Sequence, residues 1–575
     1  MKTIIRLGLP LLAAPLFAVA QLWAQTTPVH PGFTLTSLRP SGFNPMVSGI
    51  DFLSDGRMVL TTWDGFGKGR SEVYLISGFT SGDASKVTYK TFYKGAGLNE
   101  VLGVKVVDDK IYVLQKDGLS YLPDADKNDS ADNIVKVGTG FVIESNNQNL
   151  EFALGMVYKD SAFYAGLATN WTLDAKQTNE RGCVVKIPIK GGNWETFACG
   201  MRTPNGLVLG PDGGIFTTEN QGNWVPTSKL LHLLQGHFYG VHKSNPGPGP
   251  FDKEPETPPA IWMDNGTISI SPTQPVYMTS GPFKGQMVAG DNNMGTLQRY
   301  FLEKVADEWQ GAIFRFSGGL EAGANRIMTG PDGAFYVGGL GTQEWTGWDW
   351  NGKDYGLQRL APNGKAFFDM FAVRSLGQNK MEIEFTEPAG DAAGVAANYK
   401  VQQWGYKPVL DYGVGKQTVQ TLTVSKATLS ADKKKVTLDI SGMLVKNVVY
   451  FKLSNITSST NEALVGTEAW YTQNAFGPGT DPEVSPTDLR GGARAISGPL
   501  FTARSVAGGR WSISVSEPGT FSVEILTLNG RVLESRQGQG QSEILTQGAY
   551  SSGLFLARVR GAQGAAASRI LYDGR

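Results

Sequence analysis

A repeat constrains this chain more than any other feature. Apolar residues, a tight Asp/Gly turn and an alternating strand recur at Phe52–Leu60, Val106–Val113, Val157–Tyr164 and Leu209–Phe216. A degenerate copy follows at Gly281–Val288 and a clear one at Gly330–Val337. The turn residues Asp55, Asp108, Asp160 and Asp212 are 53, 52 and 52 apart, and the next gaps, to Gly285 and Asp332, are 73 and 47. A period near 50 built on hairpin turns is the pattern of propeller blades, small antiparallel sheets that bury their faces only by stacking around an axis. Six copies predict six blades over residues 30–362. The long gap predicts an insertion of roughly 20 residues, placed in the Pro-rich segment 244–259.

Beyond the repeat the texture changes. Strict alternation at Met381–Phe385, Thr421–Val424 and Val436–Ile440 predicts a sandwich of immunoglobulin type over 366–472. Residues 473–497 read as a Gly/Pro/Ser/Thr linker, and 498–575 as a final small β-sandwich. The expected fold class is therefore all-β.

Charge and composition exclude several functions. The 52 basic residues match the 52 acidic ones, which leaves no basic footprint for nucleic acid or an anionic membrane. Two Cys exclude a Cys-built zinc or iron–sulfur site. Lys2 and Arg6 precede an apolar run to Ala20 that ends in Ala18-Val19-Ala20, so 1–20 reads as a signal peptide, with cleavage after Ala24 as the alternative. No later run reaches the roughly 18 apolar residues of a transmembrane helix. The protein is expected to be secreted or held at the outer cell surface. Folding the segment 183–199 about Gly191 sets Cys183 opposite Cys199, which predicts a disulfide suited to an oxidising compartment.

Two further patterns suggest ligands. Asp124, Asp126, Asn128, Ser130 and Asp132 alternate like the first half of an EF-hand loop and suit a structural Ca²⁺. The position-12 Glu is Val135, and Asp129 stands where the loop Gly belongs. Trp345, Trp348 and Trp350 follow the last motif strand, where exposed rings could stack on sugar faces. His232, His237 and His242 are five apart, which alternates faces along a strand and predicts that they do not converge.

Gly200–Leu207, Thr218–Trp224, Gly236–Gly240, Pro226–Leu230, Gly319–Arg326 and Tyr355–Leu360 form blocks resembling the glucose/sorbosone dehydrogenase superfamily of soluble quinoprotein propellers. In particular they resemble its secreted bacterial "putative membrane-bound dehydrogenase" type. The resemblance covers 40–362. It implies pyrroloquinoline quinone (PQQ) and Ca²⁺ at the axial mouth, oxidation of a sugar or other polyol, and a separate electron acceptor. Arg202, Asn205 and Arg326 would bind the cofactor, and Gly222 and Asn223 would offer carbonyls to an axial Ca²⁺. The family's base His falls at Leu150 here, leaving Glu151 as the substitute base, and its cofactor Lys falls near Asn293. The segment 519–559 resembles a type IX secretion sorting domain, which implies the type IX machinery as a partner. Two other readings stay open: a non-catalytic propeller that binds surface glycans, and a calcium-dependent lactonase-type hydrolase using Glu219, Asn220, Asn292 and Asn205.

Overall fold

The computed structural model describes residues 27–63, 65, 71–144, 151–170, 173–342, 350–478, 501–506, 510–526, 532–546, 553–561 and 564–572. The expected signal peptide, Trp345, Trp348 and most of the linker lie outside them. No α-helix occurs among the described residues, and none of their helical segments is long and apolar enough to cross a membrane.

Each of the six turn motifs closes the hairpin between the first two strands of a sheet. These hairpins are Val47–Phe52/Met58–Thr62, Gly103–Val107/Lys110–Gln115, Ala153–Lys159/Ala162–Leu167, Pro204–Leu209/Ile215–Glu219, Pro272–Tyr277/Met287–Asp291 and Ala324–Thr329/Phe335–Leu340. Where the turn has two residues, both are left-handed, as at Asp108/Asp109 and Asp160/Ser161, the backbone that matches the twist of paired strands. The first strand of each sheet packs against the first strand of the next, and the sixth returns to the first. The result is a six-bladed propeller. Its ring closes through Phe33–Ser37, which pairs antiparallel with Tyr355–Pro362 of the sixth blade. The extra length lies in the fourth blade, between Lys229–Leu233 and its short outer strand Ile261–Trp262.

Close approach at the axis depends on missing side chains. Gly103, Gly155 and Gly206 occupy successive first strands, and a Cβ on Gly155 would lie 3.0 Å from the Gly206 Cα. Gly206 itself has φ +82, and a Cβ there would lie 2.5 Å from the Gln274 Cα. Arg326 from the sixth blade reaches into this space. Its Nε donates to Ser48 O at 2.9 Å, one Nη to Asn205 Oδ1 at 2.9 Å and the other to Leu102 O at 2.6 Å. One fully buried guanidinium thus joins the first, second, fourth and sixth blades.

The second domain pairs Met370–Gly377, Lys380–Phe385, Lys435–Ile440 and Val424–Leu429 in one sheet. Its other sheet runs Glu468–Gln473, Asn447–Leu453, Tyr399–Gly405 and Gln417–Leu422. Phe385, Val401, Val436, Phe451 and Tyr471 fill the space between these layers. The alternating run 421–424 is not one strand: the chain passes between the two sheets at Thr423. The second layer also continues the fifth blade, because Glu308–Ser317 pairs with Glu468–Gln473. At the same seam the buried Arg299 donates to Met370 O and Phe371 O and lies 3.3 Å from Asp369. A separate compact unit follows residue 479. There Arg510–Leu526 pairs with Phe501–Val506, Val532–Leu545 and Gly553–Gly561 around Trp511, Ile513, Phe521 and Val559.

Cys183 and Cys199 stand directly opposite in the third blade and form a disulfide. Closing its 16-residue separation predicts that Cys183→Ser/Cys199→Ser lowers unfolding free energy by about 3 kcal/mol in denaturant titration. Arg326→Leu removes the donor to the buried acceptors Ser48 O, Asn205 Oδ1 and Leu102 O and to both oxygens of Asn325, at about 1–3 kcal/mol for each that stays unpaired. The same titration should show a loss of at least about 3 kcal/mol.

Candidate functional site

The turn motifs all lie at one end of the propeller. The segments that enter each first strand and leave each second strand therefore gather at the opposite end, the mouth. Buried charge collects there. Lys116 Nζ lies 2.9 Å from Glu100 Oε1, with both side chains at most 5% exposed, and Trp63 Nε1 donates to Glu100 at 3.4 Å. Arg181, fully buried, donates to the main-chain oxygens of Glu151 and Val142 at 2.7 and 2.9 Å. Burial pulls the Arg181 guanidinium down, and the nearby Glu151 carboxylate opposes that shift.

Glu219 shows why these carboxylates tolerate burial. Its oxygens accept from the backbone N–H of Arg202 at 2.9 Å and Thr203 at 2.8 Å. Burial pushes its carboxyl up, while Lys229 and these two N–H groups pull the other way. Burial likewise lowers Lys229, whose Nζ donates to Tyr239 O at 2.8 Å. In the fifth blade Asp291 accepts from Ser269 Oγ and from the backbone of Ile270, Ser271, Asn293 and Met294. Both acids tie the end of a second strand to the loop that leads into a first strand.

The residues expected to bind a cofactor part ways. Asn205 and Arg326 meet at the axis at 2.9 Å. Arg202, also buried, donates to Gln221 O at 3.1 Å and lies against Gly222. The Gly222 carbonyl accepts from Gly413 N and Val225 N, both at 3.1 Å. Asn223 donates through Nδ2 to Leu410 O at 2.7 Å. Glu151 is fully buried at the mouth. Two acceptors at this end, Asn292 Oδ1 and Gln221 Oε1, are buried and receive no hydrogen bond from any described residue.

The Asp-rich loop lies elsewhere, and Trp350 is covered. The Asp124–Asp132 loop is on the outside of the second blade and is closed by its own backbone. Asp124 accepts from Asn128 N and Asp129 N, Asp126 from Asn128, and Asp132 from Ala125 N. Ser130 is exposed. Among the described residues no three His, Cys, Asp or Glu side chains converge as a metal ion would need. Trp350 is 4% exposed, donates to Leu320 O at 3.2 Å and packs with Ile270 and Met294.

His232 and His237 do share a space, a cavity of about 360 Å³ near the turn end that Trp309, Thr257 and Glu256 also line. The alternation rule fails because the strand ends at Leu233 and the chain turns through Gly236. His242 instead pairs with Asp252 at 2.7 Å.

No family model matches the sequence, and no curated protein matches it. Among solved structures, the chain is similar to the PQQ-bound aldose sugar dehydrogenase of Streptomyces coelicolor. The two share 16% identity over 58% of this chain and 99% of that one, with a TM-score of 0.41. The holo PQQ domain of the pyranose dehydrogenase from Coprinopsis cinerea shares 12% identity over 58% and 97%, with a TM-score of 0.42. Virginiamycin B lyase from Staphylococcus aureus shares 10% over 71% and 98%, with a TM-score of 0.31. Identities this low assign no residue a role.

Burial, with Lys304 and His237 adding to it, holds His232 down to about 4, against an ordinary 6.5. The unfolded chain therefore takes up a proton between pH 6.5 and 4 that the folded chain refuses. The stability this His contributes is complete above pH 6.5 and is lost as pH falls through 4. His232→Gln should flatten the decline in melting temperature between pH 7 and 4.

Proposed function

We propose that the mouth of the propeller recognises a carbohydrate without oxidising it. Asn292 Oδ1 and Gln221 Oε1 carry this reading. Each is a buried acceptor left without a donor, and a sugar brings several O–H donors on a compact frame. The buried charges at the same end, Glu100–Lys116 and Glu151 beside Arg181, add fixed polar groups of the kind that orient such a ligand.

The same geometry weighs against the quinone reading. Three carboxylates of PQQ need free cationic donors. Arg326 spends Nε and both Nη groups on Ser48, Asn205 and Leu102. The Gly222 carbonyl, expected to face calcium, already accepts two N–H groups. Arg326 and the Gly222 carbonyl are thus already committed within the chain, which supports a mouth that does not hold the cofactor. A lactonase-type metal site is disfavoured on similar grounds, since Glu219 accepts backbone N–H groups and Asn205 Oδ1 takes Arg326.

Outside the cytoplasm is the fitting compartment, because a disulfide persists in oxidising surroundings. In this reading residues 1–20 direct export and 498–575 serve type IX sorting, leaving 30–362 and 366–472 as the working domains.

Calorimetry with mono- and disaccharides of glucose, galactose and xylose tests the proposal. Saturable heat is expected from at least one. Asn292→Leu should weaken that binding by about tenfold or more, equivalent to about 1.4 kcal/mol, while leaving the melting temperature unchanged or higher. PQQ with Ca²⁺ should give no saturable change in cofactor absorbance. Absence of sugar heat, or saturable cofactor binding, would reject this form of the function.

A further inference from the structure

The second domain does more than follow the propeller: one of its loops reaches the rim of the mouth. Residues 406–416 join Tyr399–Gly405 to Gln417–Leu422. Both ends of this loop are tied to Asp264, which is 4% exposed. The Tyr406 hydroxyl donates to Asp264 Oδ1 at 3.3 Å, and Lys416 Nζ lies 2.8 Å from Asp264 Oδ2. The middle of the loop is sewn to the fourth blade through main-chain atoms. Trp224 N donates to Val409 O at 2.8 Å, Gly413 N to Gly222 O at 3.1 Å and Gly415 N to Pro226 O at 3.1 Å. Asn223 Nδ2 adds its bond to Leu410 O at 2.7 Å.

A loop anchored this often has a fixed backbone, yet two of its large apolar side chains stay in solvent. Tyr412 is 52% exposed and Leu410 59%. The Arg202 guanidinium lies 5.4 Å from the Tyr412 ring centre. Gln221, whose buried Oε1 lacks a donor, faces Gly413 so closely that a Cβ there would sit 3.2 Å from that oxygen. An aromatic face, a guanidinium and an unfilled acceptor therefore share one patch built from two domains.

We propose that the 406–416 loop is a wall of the carbohydrate site and that Tyr412 is the ring on which the bound sugar packs. The inference rests on the carbohydrate reading above and gives it a second-domain contact. The apolar C–H face of a pyranose lies on the ring, as amphipathic aromatics allow, and its hydroxyls reach Gln221 Oε1. The ring costs little to order because the backbone that carries it is already held.

The test is calorimetry of the full chain with the same glucose, galactose and xylose saccharides. Tyr412→Ala should weaken binding by about tenfold or more, and Tyr412→Phe should stay within about threefold of the wild type, since the ring is kept. Melting temperatures of both variants should match the wild type, because the side chain is half exposed. If Tyr412→Ala binds as tightly as the wild type while Asn292→Leu is weakened, the loop proposal is overturned and the carbohydrate reading survives. A Tyr412→Phe loss as large as that of Ala would also overturn it. If the wild type binds none of these sugars, both are overturned.

Discussion

The propeller depends on one buried cation at its axis. Six first strands converge there, and three successive ones carry Gly where any side chain would collide with the neighbouring blade. That leaves a narrow polar gap bounded by main-chain oxygens. Arg326 fills it with donors that bond to three other blades. Burial pulls this guanidinium down to about 9, and desolvation is the cause, so its charge at neutral pH is held by neutral oxygens alone. An Arg suits this task because its planar fork points several N–H groups in fixed directions. A Lys at this position would offer a single charged nitrogen to acceptors spread around the axis.

The mouth follows from the same economy of space. Short loops enter and leave the inner strands there, and their N–H groups need acceptors. Glu219 and Asp291 supply them from the ends of second strands. Much of the charge at the mouth is therefore structural mortar. What is left for a ligand is smaller: acceptors without donors and rings without cover. Arg326, expected from resemblance to hold a cofactor, gives its donors to the fold instead.

The repeat in the sequence was enough to place the blades. Hairpin turns impose local chemistry, Asp, Gly and Pro at fixed offsets, and that chemistry survives as a readable period. The disulfide was legible for the same reason, since a hairpin pairs near neighbours. Long-range contacts leave no such trace. Nothing in Phe33–Ser37 announces its partner Tyr355–Pro362, and nothing in 406–416 announces the fourth blade. Arg326 could be picked out by resemblance, but its partners, hundreds of residues away, could not. The His spacing misled because a spacing rule holds only inside one strand, and Gly236 ends that condition. Trp350, expected as an exposed platform, packs in the core beside Ile270 and Met294.

The fifth blade and the second domain share one hydrogen-bonded ladder, Gly311 to Thr472 through Ile313 to Trp470. A propeller blade normally ends in a free outer edge that nature must keep from sticking to other chains. Here that edge is consumed by the neighbour. A propeller cut loose near residue 365 would expose the long strand Glu308–Ser317 together with Trp309 and Phe314, an inviting template for self-association. The second domain thus acts as a built-in guard for its partner's solubility.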